Sequence, residues 1–534
     1  MNENRQNPYN QHPQGEPMPP FAPMPPQPGM PLPPMNTGQG GVPSAPGPWL
    51  HNTAASALFP KWISRNALMV YFLALTVVSL MYSAYLLPWY YMLSGIVSVT
   101  VFFIYGSKLV RLTSLDKMPR EKRFEKRIFM IAFFPRIIWV ILIYTIFKQS
   151  YGDAFGFENA DAPYYDSLGQ FVADLIKNGN FHFYDEIAKY SGNPDISDMG
   201  YGIYLGLIYM LTDNSIIAVR VLKCLWSSLM VVLLFRLAKR NFGEQTARVA
   251  AIFCALWPNF WYYCSAHLKE TEMVFLGVLF VEQADQMLRS RQFTAWKVVP
   301  VLLIAASILT FRTPLALVAF LSLIFSVVMS STRVVSWSKR IVVGVLAILL
   351  LGVGFGNQLE EKARGLYEQV QGDYQEKNME WRGTREHGNA FAKYAGKTVF
   401  APLIFTIPFP TFAKAYEGQD MQMILNGANF VKNIISGFTI LAMVILLISG
   451  KWRDHLLPLS FLLGYLVVLT MSTFAQSERF HQPAMPFEFM FAAYGLSIAV
   501  TKKKYKRWFT YWCALMFVVC IAWNWFKLAG RGLV

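Results

Sequence analysis

Charged residues are scarce in this chain of 534 residues: Asp, Glu, Lys and Arg together make up 15% of it. Soluble proteins contain about 25% charged residues, so a chain this poor in charge is unlike a cytosolic enzyme or a secreted domain. Hydrophobic residues instead make up 54%, and long apolar runs recur along the chain. The sequence therefore predicts an all-α fold, a polytopic helical membrane protein.

Cysteine is also scarce. The five cysteines fall in or beside apolar runs and have no Cys-x-x-Cys spacing: Cys224, Cys254, Cys264, Cys513 and Cys520. Cysteines in this setting behave as small hydrophobic residues, so we expect neither disulfides nor a cysteine metal site. A basic stretch followed by an apolar one is also missing from the N-terminus, which argues against a signal peptide.

Proline is concentrated at one end. Residues 1–48 hold 15 of the 30 prolines, with Met, Gln and Gly between them and almost no charge. Such a segment cannot bury a core, and we expect residues 1–60 to be a disordered cytoplasmic tail rich in polyproline II. The tail could bind a partner or serve only as a tether.

The apolar runs between residues 67 and 527 predict about thirteen transmembrane helices. We divide them into two extra N-terminal spans with a basic loop (61–127), a membrane core (128–500), and a basic turn with a C-terminal span (501–534). A short apolar stretch at 200–212 and a proline-broken one at 400–412 are too short to span, and we expect interfacial or re-entrant pieces there.

The net charge of +16 does not indicate a nucleic-acid partner, because its Lys and Arg lie in short loops between the apolar runs. This pattern marks the cytoplasmic side of a membrane protein. Two long loops, 148–200 and 358–433, fall on the opposite side, and the first carries nine acidic residues against three lysines. We expect a cell-membrane protein with a cytoplasmic N-terminus and two large extracytoplasmic loops.

Polar clusters at the extracytoplasmic boundary are the candidate functional residues, because ionisable groups near a membrane are costly without a purpose. Asp161, Tyr165 and Asp166 open the first outer loop, just before an amphipathic pattern. Alone, Asp161 could simply cap that helix. The remaining clusters lie in outer turns between later spans and comprise His267, Lys269, Glu270, Arg312, Arg479 and His481.

The cations in these turns are suited to binding a phosphate. Ordinary loop polarity, however, also explains each cluster taken separately. In one interpretation His267 and Glu270 share a helical face and line a cavity. Their spacing matches no metal motif, so a divalent metal is possible but not indicated, and no cofactor is certain. Arg136, inside an apolar run, is expected to be structural.

The layout resembles the C-type superfamily of integral-membrane glycosyltransferases, which includes protein O-mannosyltransferases and aminoarabinose transferases. In those proteins an outer loop after a span carries Asp-Glu-x-x-Tyr. Here Asp161-Ala162-Pro163-Tyr164-Tyr165 matches the Asp and the Tyr, with Ala162 in place of the second acidic residue. The segments LTFRTPLALVAFL and ERFHQPAMPFEFMFAAYGL are similar to the family's later motifs, and the resemblance covers about residues 128–500.

The resemblance implies an enzyme that moves a sugar from a polyprenyl-phosphate donor to an acceptor hydroxyl on a lipid, glycan or protein, with inversion. Asp161 would be the general base and Asp166 the fallback base. Arg479 and Arg312 would bind the departing lipid phosphate, with Lys269 and His267 as weaker candidates. Tyr165, Glu270 and His481 complete the expected substrate site.

Two alternatives stay open on the sequence. A lipid-linked polysaccharide polymerase or ligase would use arginines of its main outer loop, and Arg364, Arg382 and Arg385 lie in 358–399. A transporter or flippase would place charged or broken helices at the bilayer midplane and contain an internal repeat. We find no convincing repeat, which favours the transferase.

Overall fold

The structure is a computed structural model. It describes residues 58–156, 161–192, 197, 199–290, 294–337, 340–341, 374–394, 401–472 and 475–534. The predicted tail up to residue 57, and nearly all of the predicted span at 341–357, lie outside this part. In the described residues there is no β-strand, only an isolated bridge between Leu86 and Ala413. The predicted all-α class is confirmed.

Helices make up most of the described residues. Their bounds are α1 Lys61–Met81, α2 Trp89–Leu112, α3 Glu121–Tyr151, α4 Asp161–Lys177, α5 Phe183–Ser191, α6 Met199–Thr212, α7 Ile216–Phe242, α8 Glu244–Leu256, α9 Pro258–Ser265, α10 Glu270–Arg289, α11 Ala295–Phe311, α12 Thr313–Met329, α13 Tyr374–Thr384, α14 Asp420–Ile424, α15 Asn426–Ile448, α16 Leu456–Met471, α17 Glu478–His481, α18 Met485–Thr501 and α19 Lys503–Ala529.

Seven helical segments of the described residues are long and apolar enough to cross a membrane. They are α1, α2, α3, α7, α15, the segment Lys451–Met471 that contains α16, and most of α19. The predicted count of about thirteen is not confirmed. The run at 249–265 shows one reason: it is broken into α8 and α9 at Pro258, which begins α9 because it has no N–H to donate and disfavours helix at Trp257.

The amphipathic helix expected after Asp161 is α4, which packs along the short apolar helix α6. Leu168 and Val172 are buried in this contact. Two glycines of α6 permit it, since a Cβ at Gly202 or Gly206 would lie 2.7 Å or 2.5 Å from those side chains. This packing fixes the rotation of α4 about its axis and therefore the directions of its two aspartates.

The proline-broken block at 400–412 forms an irregular segment, 404–413, between helices. Side chains from α15 and α19 satisfy its backbone: Lys432, Asn433 and Asn524 form hydrogen bonds with its N–H and C=O groups at 2.5–3.2 Å. Non-helical backbone inside a membrane bundle is tolerated only where protein groups satisfy it in this way.

A glycine sets the distance between α15 and α18. A Cβ at Gly495 would lie 1.9 Å from the carbonyl oxygen of Phe438, a backbone atom that cannot turn away. We expect Gly495→Ala to force the helices apart and to destabilise the protein by about 1–3 kcal/mol, the usual cost of overpacking. Thermal unfolding in detergent measures this.

The matched control is Gly277→Ala in α10, where the new Cβ would meet Phe461 at an ordinary 3.5 Å. We expect its unfolding temperature to stay within a degree or two of the wild type, roughly the effect of a substitution without a clash. Equal losses in the two variants would contradict this account of the α15–α18 contact.

Candidate active site

Arg479 is the centre of the polar cluster formed by three distant parts of the chain. Its Nη1 donates to Asp161 Oδ2 at the start of α4, and its Nε donates to Glu270 Oε1 at the start of α10. The Arg479 and Glu270 side chains are 8% and 1% exposed, whereas that of Asp161 is 50% exposed. Asp161 is therefore the carboxylate of this group that a ligand can reach.

Two further cations stand beside this group. Lys269 Nζ donates to the carbonyl oxygen of Phe311 at 3.0 Å and lies 5.9 Å from the ring centre of Tyr165. The guanidinium carbon of Arg312 lies 4.4 Å from the ring centre of Phe480. The guanidinium carbon of Arg479 lies 5.8 Å from the same ring centre, so both arginines are near one aromatic ring.

Asp166 faces a different group because it follows Asp161 by five residues, a rotation of about 140° on an α-helix. Its Oδ1 accepts a hydrogen bond from the Tyr209 hydroxyl, and its Oδ2 accepts one from Gln170 Nε2 at 2.8 Å. His267 Nε2 lies 3.3 Å from the same hydroxyl and 3.9 Å from Asp166 Oδ1. Both carboxylate oxygens of Asp166 are thus engaged.

His267 lies in the turn between α9 and α10, not on a helix. The interpretation that it shares a helical face with Glu270 is wrong: α9 ends at Ser265, Ala266 is extended, and the two side chains contact different partners. Burial, Lys223 and Arg220 together lower the pKa of His267 well below its usual value. At neutral pH His267 therefore carries no charge with which to bind a phosphate.

His481 is also turned away from Arg479. Its Nδ1 lies 2.6 Å from Lys432 Nζ and its Nε2 lies 2.7 Å from the carbonyl oxygen of Ala475. Glu488 Oε1 lies 3.8 Å from the same Lys432 Nζ. His481, the last residue of α17, therefore anchors this short helix to its neighbours. It does not join the predicted phosphate ligands.

Lys223 is a residue of the site that the sequence analysis did not single out. It is fully buried in α7, and its Nζ donates to the carbonyl oxygens of Ala266 (3.0 Å) and Leu268 and lies 3.4 Å from Glu272 Oε2. It thereby fixes the turn that carries His267 and Lys269. A lysine inside an apolar run was itself a signal, because burying one is costly unless it is paired.

Lys269 is a cation whose surroundings disfavour its charged form. Burial lowers its pKa to about 7, with Arg312 adding to the effect and Glu270 opposing it. In the unfolded chain a lysine has a pKa near 10.4. The folded protein therefore holds fewer protons at this group than the unfolded chain between about pH 7 and pH 10.

We expect the stability of the protein to rise across that interval because of Lys269, by at most about 1.4 kcal/mol per pH unit. Lys269→Met should lose this part of the rise, so its unfolding temperature should increase less between pH 7 and pH 9. Lys451→Met, which removes an exposed lysine, controls for the loss of positive charge alone. Parallel pH curves for wild type and Lys269→Met would contradict the expectation.

The described residues contain no group of three or more His, Cys, Asp and Glu side chains arranged to hold a metal ion. At the site itself, the guanidinium of Arg479 occupies the position between Asp161 and Glu270. The single charge of this arginine is shared by the two carboxylates.

A protein-family model matches part of the chain. The family model for dolichyl-phosphate-mannose-protein mannosyltransferases matches residues 200–354, less than a third of the chain. This range includes Lys223, the turn with His267 and Lys269, and Arg312, and it stops short of Asp161 and Arg479. No curated protein and no solved structure matches the chain significantly.

The matched family is one of the C-type glycosyltransferases, so the resemblance seen in the sequence is confirmed. The apolar helices agree with the multi-pass membrane architecture of that superfamily. Together the family match and the helices support a membrane glycosyltransferase of the C type.

Proposed function

We propose that this protein transfers a sugar from a polyprenyl-phosphate donor to an acceptor hydroxyl at the extracytoplasmic face of the cell membrane, with inversion. The observation that carries the proposal is the cluster in which Arg479 joins Asp161 and Glu270, with Lys269 and Arg312 beside it. A reachable carboxylate next to several cations suits a reaction that takes a proton from one substrate and leaves a phosphate on the other.

Asp161 is the general base in this proposal. The acceptor oxygen forms a bond to the anomeric carbon and gives its proton to Asp161. The bond from that carbon to the phosphate oxygen breaks, and its electron pair leaves with the lipid phosphate. A single displacement of this kind inverts the configuration at the anomeric carbon.

The cations stabilise the negative charge that grows on the leaving phosphate, which is commonly among the largest contributions to catalysis. Arg312 and Lys269 flank the position of the leaving phosphate. Arg479 has a second role, which concerns the base. The donor phosphate would compete with Asp161 for Arg479 Nη1. Transfer of that hydrogen bond to the phosphate leaves Asp161 Oδ2 able to accept the proton, so the base is released when the donor is bound.

The two other functions considered from the sequence find less support in the described residues. Arg382 lies in α13 and Arg385 directly after its end, where Arg385 lies over the ring of Trp381, and no described contact joins either arginine to Arg479. The buried charges expected of a transporter do occur at Lys432 and Glu488. Lys432, however, satisfies the irregular segment 404–413, which gives it a structural role.

Transfer by the purified protein in lipid tests the proposal. The donors would be a set of radiolabelled polyprenyl-phosphate monosaccharides, offered with extracts that contain protein, lipid and glycan acceptors. We expect label from at least one donor to reach an acceptor, with the opposite anomeric configuration. Transfer only from intact oligosaccharide-diphosphate lipids would overturn the proposal in favour of the polymerase.

A further inference from the structure

An apolar groove of about 410 Å³ lies between α15 and the beginning of α19, away from the candidate active site. Its lining residues are Ile440, Leu441, Val444, Tyr505, Arg507, Trp508 and Tyr511. The side chain of Tyr511 is 72% exposed and that of Val444 is 45% exposed, so the groove is open at the surface of the bundle.

The length of α19 separates this groove from the active site. Near the other end of the helix, Lys527 Nζ donates to Thr411 Oγ1 at 2.9 Å and is electrostatically coupled to Glu478, next to Arg479. The 20 residues from Arg507 to Lys527 correspond to about 30 Å along a helix. That is close to the thickness of a bilayer's hydrocarbon core, so the groove opens at the opposite membrane boundary.

Positive charge is concentrated in the stretch of chain at the beginning of α19, which contributes Arg507 to the groove. The stretch 502–507, Lys-Lys-Lys-Tyr-Lys-Arg, holds five cations, and no acidic residue follows Glu488 in the chain. Lys506 and Arg507 are exposed, and Lys506 Nζ lies 5.6 Å from the ring centre of Trp62. Aromatic side chains at this level, such as Tyr505 and Trp508, are typical of residues at a membrane–water interface.

An apolar groove whose mouth is cationic and aromatic matches a lipid with an acyl chain and an anionic headgroup. We propose that this groove is a binding site for an anionic phospholipid: one acyl chain lies against Val444 and Trp508, and Arg507, which lines the groove, binds the headgroup phosphate, with the exposed Lys506 next to it in the chain adding positive charge. Basic pockets between transmembrane helices bind anionic lipids in the same way. The proposal is independent of the transferase reaction.

Native mass spectrometry of the detergent-purified, delipidated protein tests the site, with phosphatidylglycerol and phosphatidylcholine of equal chain length as probes. We expect one phosphatidylglycerol to bind at least tenfold more tightly than phosphatidylcholine. Each cation near an anionic lipid contributes about 1 kcal/mol, so Lys506→Gln with Arg507→Gln should weaken phosphatidylglycerol binding about 30-fold. Val444→Trp, which fills the groove without changing charge, should also weaken it.

The matched control is Lys451→Gln with Arg453→Gln, which removes two exposed cations in the turn that follows α15, outside the groove. We expect this pair to bind phosphatidylglycerol as the wild type does. Equal weakening by both pairs would mean diffuse attraction and would overturn the site. Equal affinity for both phospholipids, or tighter binding of polyprenyl phosphate at this groove, would overturn it as well.

Discussion

Asp161→Asn is expected to lower the turnover number of sugar transfer about 10²–10⁴-fold, the usual contribution of a general base. Asparagine has nearly the shape of aspartate, and its side-chain oxygen can still accept the hydrogen bond from Arg479 Nη1. We therefore expect the variant to fold, to unfold near the wild-type temperature and to bind donor with a similar dissociation constant. Single-turnover rates at saturating donor measure the loss.

Asp166→Asn is the matched control, since it makes the same change five residues further along the same helix. Both oxygens of Asp166 accept hydrogen bonds in the folded protein, from Tyr209 and from Gln170. We expect transfer to fall less than tenfold, roughly the effect of disturbing one such contact. The opposite ranking, with Asp166→Asn inactive and Asp161→Asn active, would assign the base to Asp166 while keeping the reaction.

The helices of this fold could be predicted from apolar runs, but their interruptions could not be read from hydropathy alone. Hydropathy does not distinguish a straight span from two short helices. The run 249–265 contains no charged residue, and the break comes from Pro258, whose effect is on the backbone. The same limit applies to α10, whose buried Glu270 and Glu272 lower its hydropathy although it packs inside the bundle.

The members of the site could be named from sequence, because polar clusters at one membrane boundary are unusual. Their partners could not be named. Spacing along the chain contains no information on whether Arg479 meets a phosphate or a carboxylate, and in the folded protein it meets Asp161 and Glu270. Arg479 and His481 are two residues apart, yet they point to different groups because α17 is a helix.

Removing Arg479 alone should destabilise the protein more than removing both Arg479 and Glu270. Arg479→Gln leaves the carboxylate of Glu270, 1% exposed, without its guanidinium. Breaking a buried pair in this way costs about 3–5 kcal/mol, so we expect a markedly lower unfolding temperature. The double variant Arg479→Gln with Glu270→Gln removes the uncompensated charge and should recover most of that stability.

The double variant should regain stability but not the rate of sugar transfer. If Arg479 binds the leaving phosphate, both variants that lack it should be slowed about 10²–10³-fold, the usual effect of removing one such donor. Glu270→Gln alone should keep more activity, because Arg479 is still present. A double variant that regains both stability and transfer would contradict this assignment, since Arg479 would then serve only to neutralise Glu270.

Arg312→Gln tests the loss of a positive charge at the site without the loss of an ion pair. Arg312 lies over the ring of Phe480 and has no described ion pair, so its loss should change the unfolding temperature little. We expect weaker donor binding in this variant, because one of the cations around the phosphate is missing. Arg479→Lys completes the series: it restores a charge, but its one nitrogen replaces the two, Nε and Nη1, that reach Glu270 and Asp161, so it should recover stability only in part.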